Sequence, residues 1–282
     1  MKSVRGKTVL VTGGAMGMGR LFAERALGER AKVLVLWDVN EQALNRTLAE
    51  LPEGPTEVIG YVVDLGDLDA IQATAAAVLD DVGHVDVLVN NAGIVRGNSY
   101  FWESDPIRDT KLTVDVNTLA PMHVTREFLP SMISSSGEAR LLNVASAAGL
   151  MPNPRMAVYA ASKWAVIGWS DSVRLELKQA GHEHVKVTTV CPYYVNTGMF
   201  EGARSAPLLP ILEPAEVVDE SWAAMCAGTP LVVLPRTVIL SEMLKGLVPV
   251  GVRDFIAENV IGVYRTMEDF TGRRHENGDL GP

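Results

Sequence analysis

The sequence predicts an α/β fold, a doubly wound parallel sheet of seven strands with helices on both faces. Three observations predict it. Short apolar, β-branched runs recur along the chain, and helix-period segments separate them. The first run leads into a glycine-rich turn, Thr12 to Gly19, ahead of a helical segment. Strands buried on both faces read as unbroken apolar runs, and parallel neighbours need a crossover, usually a helix.

The first strand is expected at 7–12, where Thr8-Val9-Leu10-Val11 is β-branched and apolar. The helix after it, 18–29, takes its period from Leu21, Phe22, Ala26 and Leu27. Gly13, Gly17, Met18 and Gly19 stand between them. A strand, a tight glycine turn and a helix place unpaired N–H groups at a helix N-terminus, where a pyrophosphate binds. The sheet is therefore expected to be Rossmann-type. The second strand, 32–37, ends at Asp38, about 20 residues past the turn. A carboxylate there accepts hydrogen bonds from the adenosine ribose and repels a 2′-phosphate. No Lys or Arg stands in the turn before Gly19, and Val39 follows Asp38. Both points favour NAD over NADP. Capping of the next helix, 41–50, is compatible with that role of Asp38.

A strand at 57–63, a helix at 67–82 and a strand at 86–90 continue the alternation. A long helical stretch, 105–135, precedes a strand at 138–145. Its end, Asn143-Val144-Ala145-Ser146-Ala147-Ala148-Gly149, is rich in small residues, as at the ligand crevice of an open sheet. The helix 157–180 carries Tyr159 and Lys163, one turn apart on one face. Such a pair alone is usually plain helix surface. A phenol titrates near 10, and a lysine cation beside it favours the phenolate and brings that pKa toward the working range. Ser146 could hydrogen-bond a substrate oxygen. A strand at 185–191, a helix at 214–227 and a strand at 230–234 complete the pattern.

Composition agrees. The 282 residues are 48% hydrophobic and 21% charged, which is globular and large enough for a substantial core. A net charge of −9 speaks against a nucleic-acid partner. Cys191 and Cys226 read as buried free thiols of a reducing cytoplasm. Neither they nor the five histidines have metal-ligand spacing, and His182-Glu183-His184 reads as a solvated turn. There is no Gly-x-Ser-x-Gly elbow around Ser146. No signal-like or membrane-spanning apolar run is present. One domain over 1–282 is expected, with a substrate-pocket or lid region at 195–270 and a loose polar tail at 271–282.

These motifs resemble the short-chain dehydrogenases/reductases, and the resemblance runs from about Lys7 to Thr197. Thr12 to Gly19 matches the TGxxxGxG turn, and Asn90-Asn91-Ala92-Gly93 the NNAG motif. Asn117, Ser146, Tyr159 and Lys163 match the catalytic tetrad. Asp64-Leu65 matches the pair beside the adenine. Cys191-Pro192-Tyr193-Tyr194-Val195-Asn196-Thr197 matches the loop after strand six, with Tyr193 where the family usually has Gly. The resemblance implies a nicotinamide cofactor held by Gly13, Gly17, Met18, Gly19, Asp38, Asp64, Leu65, Asn90, Ala92, Gly93, Tyr159, Lys163, Pro192, Val195 and Thr197. It implies Tyr159 as general acid or base, Lys163 on the nicotinamide ribose, and Asn117 holding a water that links Lys163 to solvent.

Substrate contacts are expected from Ser146, Tyr159, Tyr193 and Met199. The region after Thr197 is apolar: Met199, Phe200, Leu208, Leu209, Ile211 and Leu212. A second apolar stretch runs from Val238 to Val250. Both read either as packing or a subunit interface, or as a lid over a bulky apolar substrate. The Asn196 to Phe200 segment is similar to members acting on retinoids, steroids and other lipid-like alcohols. The expected activity is NAD-dependent interconversion of a hydrophobic secondary alcohol and its ketone. Two rivals stand: an NADP-dependent carbonyl or acyl-thioester reductase, and a non-catalytic NAD(H)-binding sensor. Relatives commonly form homotetramers or dimers through the helices near 105–135 and 157–180, so a homo-oligomer is expected.

Overall fold

The computed structural model describes residues 1–272 except Leu208 and Gly246, with the side chains of Ser241 and Leu244 also left out. The expected tail lies outside the described residues from Arg273 onward. The sheet has seven parallel strands in the order β3-β2-β1-β4-β5-β6-β7. They are β1 (Thr8–Thr12), β2 (Val33–Asp38), β3 (Glu57–Val62), β4 (Val87–Asn90), β5 (Ala139–Val144), β6 (Val185–Pro192) and β7 (Leu231–Leu234). The strand order reverses between β1 and β4. That is the switch point where ligands bind in such sheets.

The alternation of strand side chains divides the core. Val9 and Val11 face one layer and Leu10 the other. On the first side, α1 (Gly17–Gly28) brings Phe22 and Ala26, α2 (Glu41–Glu50) brings Leu44, and α7 (Pro214–Ala227) brings Trp222. On the second side, α3 (Leu68–Val82) brings Ile71 and Val78, α5 (Ala120–Ser134) brings Phe128, and α6 (Ala157–Gln179) brings Leu177. Each such buried side chain contributes about 1.5–3 kcal/mol relative to exposure. Both helix layers of the doubly wound expectation are therefore filled.

Two stretches differ from the expected elements. The long helix at 105–135 is not uniform. A π-helical turn (Pro106–Lys111), one α turn, α4 (Leu112–Val114), and a second π-helical turn (Asp115–Leu119) precede α5. Pro121, which has no N–H to give the Asn117 carbonyl four residues back, follows directly. After β7, helical segments continue as α8 (Thr237–Lys245), α9 (Val250–Phe255) and a π-helical turn (Ile256–Ile261).

Candidate active site

The glycine turn is held from three sides. Gly13 and Gly17 have φ of +64° and +55°, a region that L side chains rarely enter. A Cβ on Gly13 would stand 3.0 Å from the Ala92 Cα, and one on Gly19 only 1.8 Å from the Gly13 carbonyl oxygen. Thr12 Oγ1 accepts from the backbone N–H groups of Asn91 and Ala92, both at 3.1 Å. Asn91 Nδ2 donates to the carbonyls of Thr12 (3.0 Å) and Gly13 (3.3 Å). The Asp38 carboxylate accepts from the Ala15 N–H and the Asn40 N–H, each at 3.0 Å. No side chain caps the N-terminus of α1, and its first turn carries no acid. The turn thus keeps a cradle for an anion that any Cβ would fill, and a dinucleotide fits it.

One cavity of about 360 Å³ runs from this turn across the carboxyl ends of the strands. Its nucleotide end is formed by Gly13, Gly17, Met18, Asp38, Asp64 and Leu65, and its middle by Ala92 and Gly93. The far end holds Ser146, Tyr159, Lys163, Pro192, Tyr193, Val195, Thr197 and Met199. Most of the expected site residues therefore meet in one place.

Three of them stand elsewhere. Asn90, expected at the cofactor, is buried behind the cavity, where its Nδ2 donates to Thr125 and Asn143. As the last residue of β4 it points into the helix layer, and Asn91 takes the cavity position. Gly19 packs on Gly13 rather than lining the cavity. Asn117 sits one layer back. Its Oδ1 accepts from the Ile94 N–H at 2.8 Å, and its Nδ2 donates to the Ile94 carbonyl at 2.9 Å. It remains close to Lys163, since a Cβ on Gly93 would lie 3.3 Å from Asn117 Oδ1 and 3.4 Å from Lys163 Nζ.

At the far end, Ser146 Oγ donates to the Pro192 carbonyl (3.4 Å) and accepts from the Ala148 N–H (3.2 Å). Lys163 Nζ donates to the Val144 carbonyl at 3.0 Å and lies 5.8 Å from the Tyr159 ring centroid. Both side chains are buried. Burial raises the Tyr159 phenol to about 12, with the Ser146 hydroxyl pulling it back down. Burial lowers the Lys163 ammonium to about 8. The expected drop of the phenol toward neutrality is thus not met in the protein alone. In this dry pocket, desolvation outweighs any attraction from a lysine at that distance.

Residues to which the sequence assigned no substrate contact pack around the pocket. Phe200 meets Tyr159 edge-on at 6.1 Å and Tyr194 at 5.0 Å. Tyr194 Oη accepts from Asn153 Nδ2 at 2.8 Å and pairs with Thr266 Oγ1 at 3.0 Å. Asn98 Nδ2 donates to the Met267 carbonyl at 3.2 Å. The doubled Tyr193-Tyr194, in place of the family's usual Gly, was the signal available for this aromatic cluster.

Comparisons with known proteins agree with this geometry. The family model for short chain dehydrogenases matches residues 7–207. Epidermal retinol dehydrogenase 2 of Mus musculus is 34% identical over 276 residues, covering 97% of this chain and 88% of that protein. Retinol dehydrogenase 10 of Homo sapiens is 34% identical over 277 residues, covering 88% of this chain and 80% of that protein. A crystal structure of a short chain dehydrogenase/reductase from Burkholderia phymatum in complex with NAD superposes with a TM-score of 0.79 at 30% identity, covering 88% of this chain and 95% of that one. A metagenomic short-chain oxidoreductase in complex with NADP gives a TM-score of 0.68 at 28% identity, covering 82% of this chain and 96% of that one. With the glycine cradle, the switch-point cavity and the Ser146, Tyr159 and Lys163 cluster at its far end, the chain belongs to the short-chain dehydrogenase/reductase family and is an oxidoreductase of that type.

Proposed function

We propose that this protein interconverts a bulky, apolar alcohol and its carbonyl compound with NAD. One observation carries the cofactor choice. Lys163 is the one cation among the described residues lining the cavity, and the nucleotide end presents Asp38 followed by Val39 and Asn40. A 2′-phosphate would meet a carboxylate there and no basic partner. The substrate class rests on the far end, where Tyr193, Met199 and Phe200 line the cavity. A secondary alcohol and ketone pair is the reading retained. The names of the retinol dehydrogenases add retinol, a primary alcohol, to the substrates to try.

When bound, the nicotinamide supplies the hydride acceptor or donor and, in its oxidised form, a positive charge. The chain manages the proton. Ser146 Oγ holds the substrate oxygen beside Tyr159. Tyr159 Oη takes the hydroxyl proton in oxidation and returns one in reduction. A phenol that titrates near 12 when buried in the protein alone is a proton donor at rest. A positive charge brought beside it favours the phenolate and makes it a base. Lys163 Nζ, near its own pKa of about 8, exchanges protons readily at working pH. Pro121 deprives the Asn117 carbonyl of its ordinary helical donor, which suits it to hold a water next to Lys163. Asn117 is thus a positioning residue. A homotetramer or dimer in the cytoplasm belongs to the same reading.

The test is absorbance at 340 nm with NAD and NADP in parallel, on bulky secondary alcohols, aryl ketones and retinol. Tyr159→Phe should lower kcat by roughly 10²–10⁴-fold with cofactor affinity nearly unchanged. Wild-type turnover in that variant would sink the assignment, and turnover with NADP alone would sink the reading of Asp38. Cofactor binding without turnover of any substrate would favour the sensor.

A further inference from the structure

The stretch from Thr237 to Ile261 carries apolar side chains that neither the sheet nor the cofactor cavity uses. α8 is apolar on two sides. Val238 is fully buried in the cluster around Tyr159, whereas Leu240 and Met243 stand on the outer side. The exposed run continues through Leu247, Val250, Phe255 and Val260, and these six side chains are 58–80% exposed. An exposed apolar patch of this kind marks a contact site.

Two neighbouring features point to what covers it. Between these helices lies a second cavity of about 190 Å³, walled by Met151, Leu209, Val238, Val248 and Ile261. An apolar cavity holds hydrocarbon more readily than water. Beside α8 stands the half-exposed Trp164, whose ring Lys245 Nζ overlies at 4.3 Å.

Charge separates a lipid surface from a protein partner. From Arg236 to Arg265 the bases exceed the acids by one, on a chain of net charge −9. The acids are answered within the face: Lys245 to Glu242 at 2.5 Å, Arg253 to Asp254 at 3.0 Å, and Arg265 to Glu258 at 4.0 Å. A protein interface surrounds its apolar centre with polar groups directed at the partner. Here the charges are directed at each other, and a near-neutral apolar face flanked by Trp remains. No helix among the described residues is long and apolar enough to cross a membrane.

We infer that this face docks on a neutral phospholipid bilayer. The α8 and α9 side chains enter the acyl boundary, and Trp164 lies at the headgroup level. The contact is interfacial and does not depend on the reaction or on cofactor identity.

The experiment is flotation of the full chain with phosphatidylcholine vesicles, with and without 0.5 M salt (about the level that screens surface charge). It is repeated with vesicles containing phosphatidylserine. Wild type should float with phosphatidylcholine alone and stay bound in salt. Leu247→Glu/Phe255→Glu should lower the bound fraction about tenfold or more, with an unchanged melting curve. Met243→Glu alone, a second exposed position, should weaken binding less. The inference is overturned if wild type stays at the bottom of the gradient. It is equally overturned if wild type floats only with anionic vesicles and salt releases it, or if the variants float as well as wild type. Sedimentation velocity covers the rival occupant: an oligomer that Leu247→Glu/Phe255→Glu dissociates would make the face a subunit interface instead.

Discussion

The molecule treats the glycine turn and the α8–α9 segment in opposite ways. Around the turn, Val11 and Ala15 are buried in the core, Met16 and Met18 line the cavity, and the polar groups interlock: Thr12 with Asn91 and Ala92, Asp38 with Ala15 and Asn40. Along α8 and α9 the apolar residues outnumber what the core can accept, and the surplus faces outward. The first region leaves little room for another conformation or another side chain. The second is shaped by something outside the chain. Tight interlocking marks a site whose ligand meets backbone, and surplus apolar surface marks one whose ligand meets side chains.

Substitutions of decreasing effect test that contrast. Gly19→Ala places a Cβ 1.8 Å from the Gly13 carbonyl oxygen, so the turn must open. Loss of about 4 kcal/mol or more is expected. It is read by urea unfolding and accompanied by loss of NAD binding in calorimetry. A variant that binds NAD normally would show that the turn is looser than its geometry implies.

Lys163 gives the next effect, in the opposite direction. Its ammonium titrates near 8 in the folded protein, against an ordinary 10.5. Between those values the unfolded chain binds more protons, so stability rises with pH through that window. Below pH 8 the folded state carries the full penalty of a buried cation, up to about 3 kcal/mol from the size of the shift. Cofactor-free Lys163→Met should therefore be more stable than wild type at pH 7, with the gap closing toward pH 10.5. A gap that ignores pH would mean that packing, not charge, sets it.

Asp38→Ser/Val39→Arg should weaken NAD binding about tenfold and strengthen NADP binding, roughly 1.4 kcal/mol for each decade. Isothermal titration with both cofactors decides it. An unchanged preference would mean that Asp38 serves the turn alone. Leu240→Ser should change folding stability by less than about 0.5 kcal/mol, as at an ordinary surface position. A loss of 2 kcal/mol or so, the scale of a buried side chain, would place α8 in the core after all.

The parallel sheet was legible because most strands are short apolar runs and each crossover has its own helical period. The cavity was legible where short motifs force backbone geometry, as at Gly13, Gly17 and Asp38. What depends on packing partners was not legible. Asn90 and Asn91 are chemically identical in sequence, and only the β4 register decides which one meets the cavity. The π-helical turn at Asp115–Leu119 has no counterpart in the helical pattern of the sequence. The shift of Tyr159 depends on how dry its pocket is, which a four-residue spacing to Lys163 does not report. The helices after β7 carry apolar residues on more than one side, so periodicity could not say which side the core would take.

Tyr194 and Asn98 have a consequence for grafting. Tyr194 Oη gathers Asn153 from the loop after β5 and Thr266 from the C-terminal segment, and Asn98 Nδ2 holds the Met267 carbonyl. The pocket cover is thus sewn to two distant loops, one of which also carries Ser146. A chimera that takes residues 195–270 from a relative inherits the cover without its stitches. It will close properly only if positions 98 and 153 are exchanged along with it.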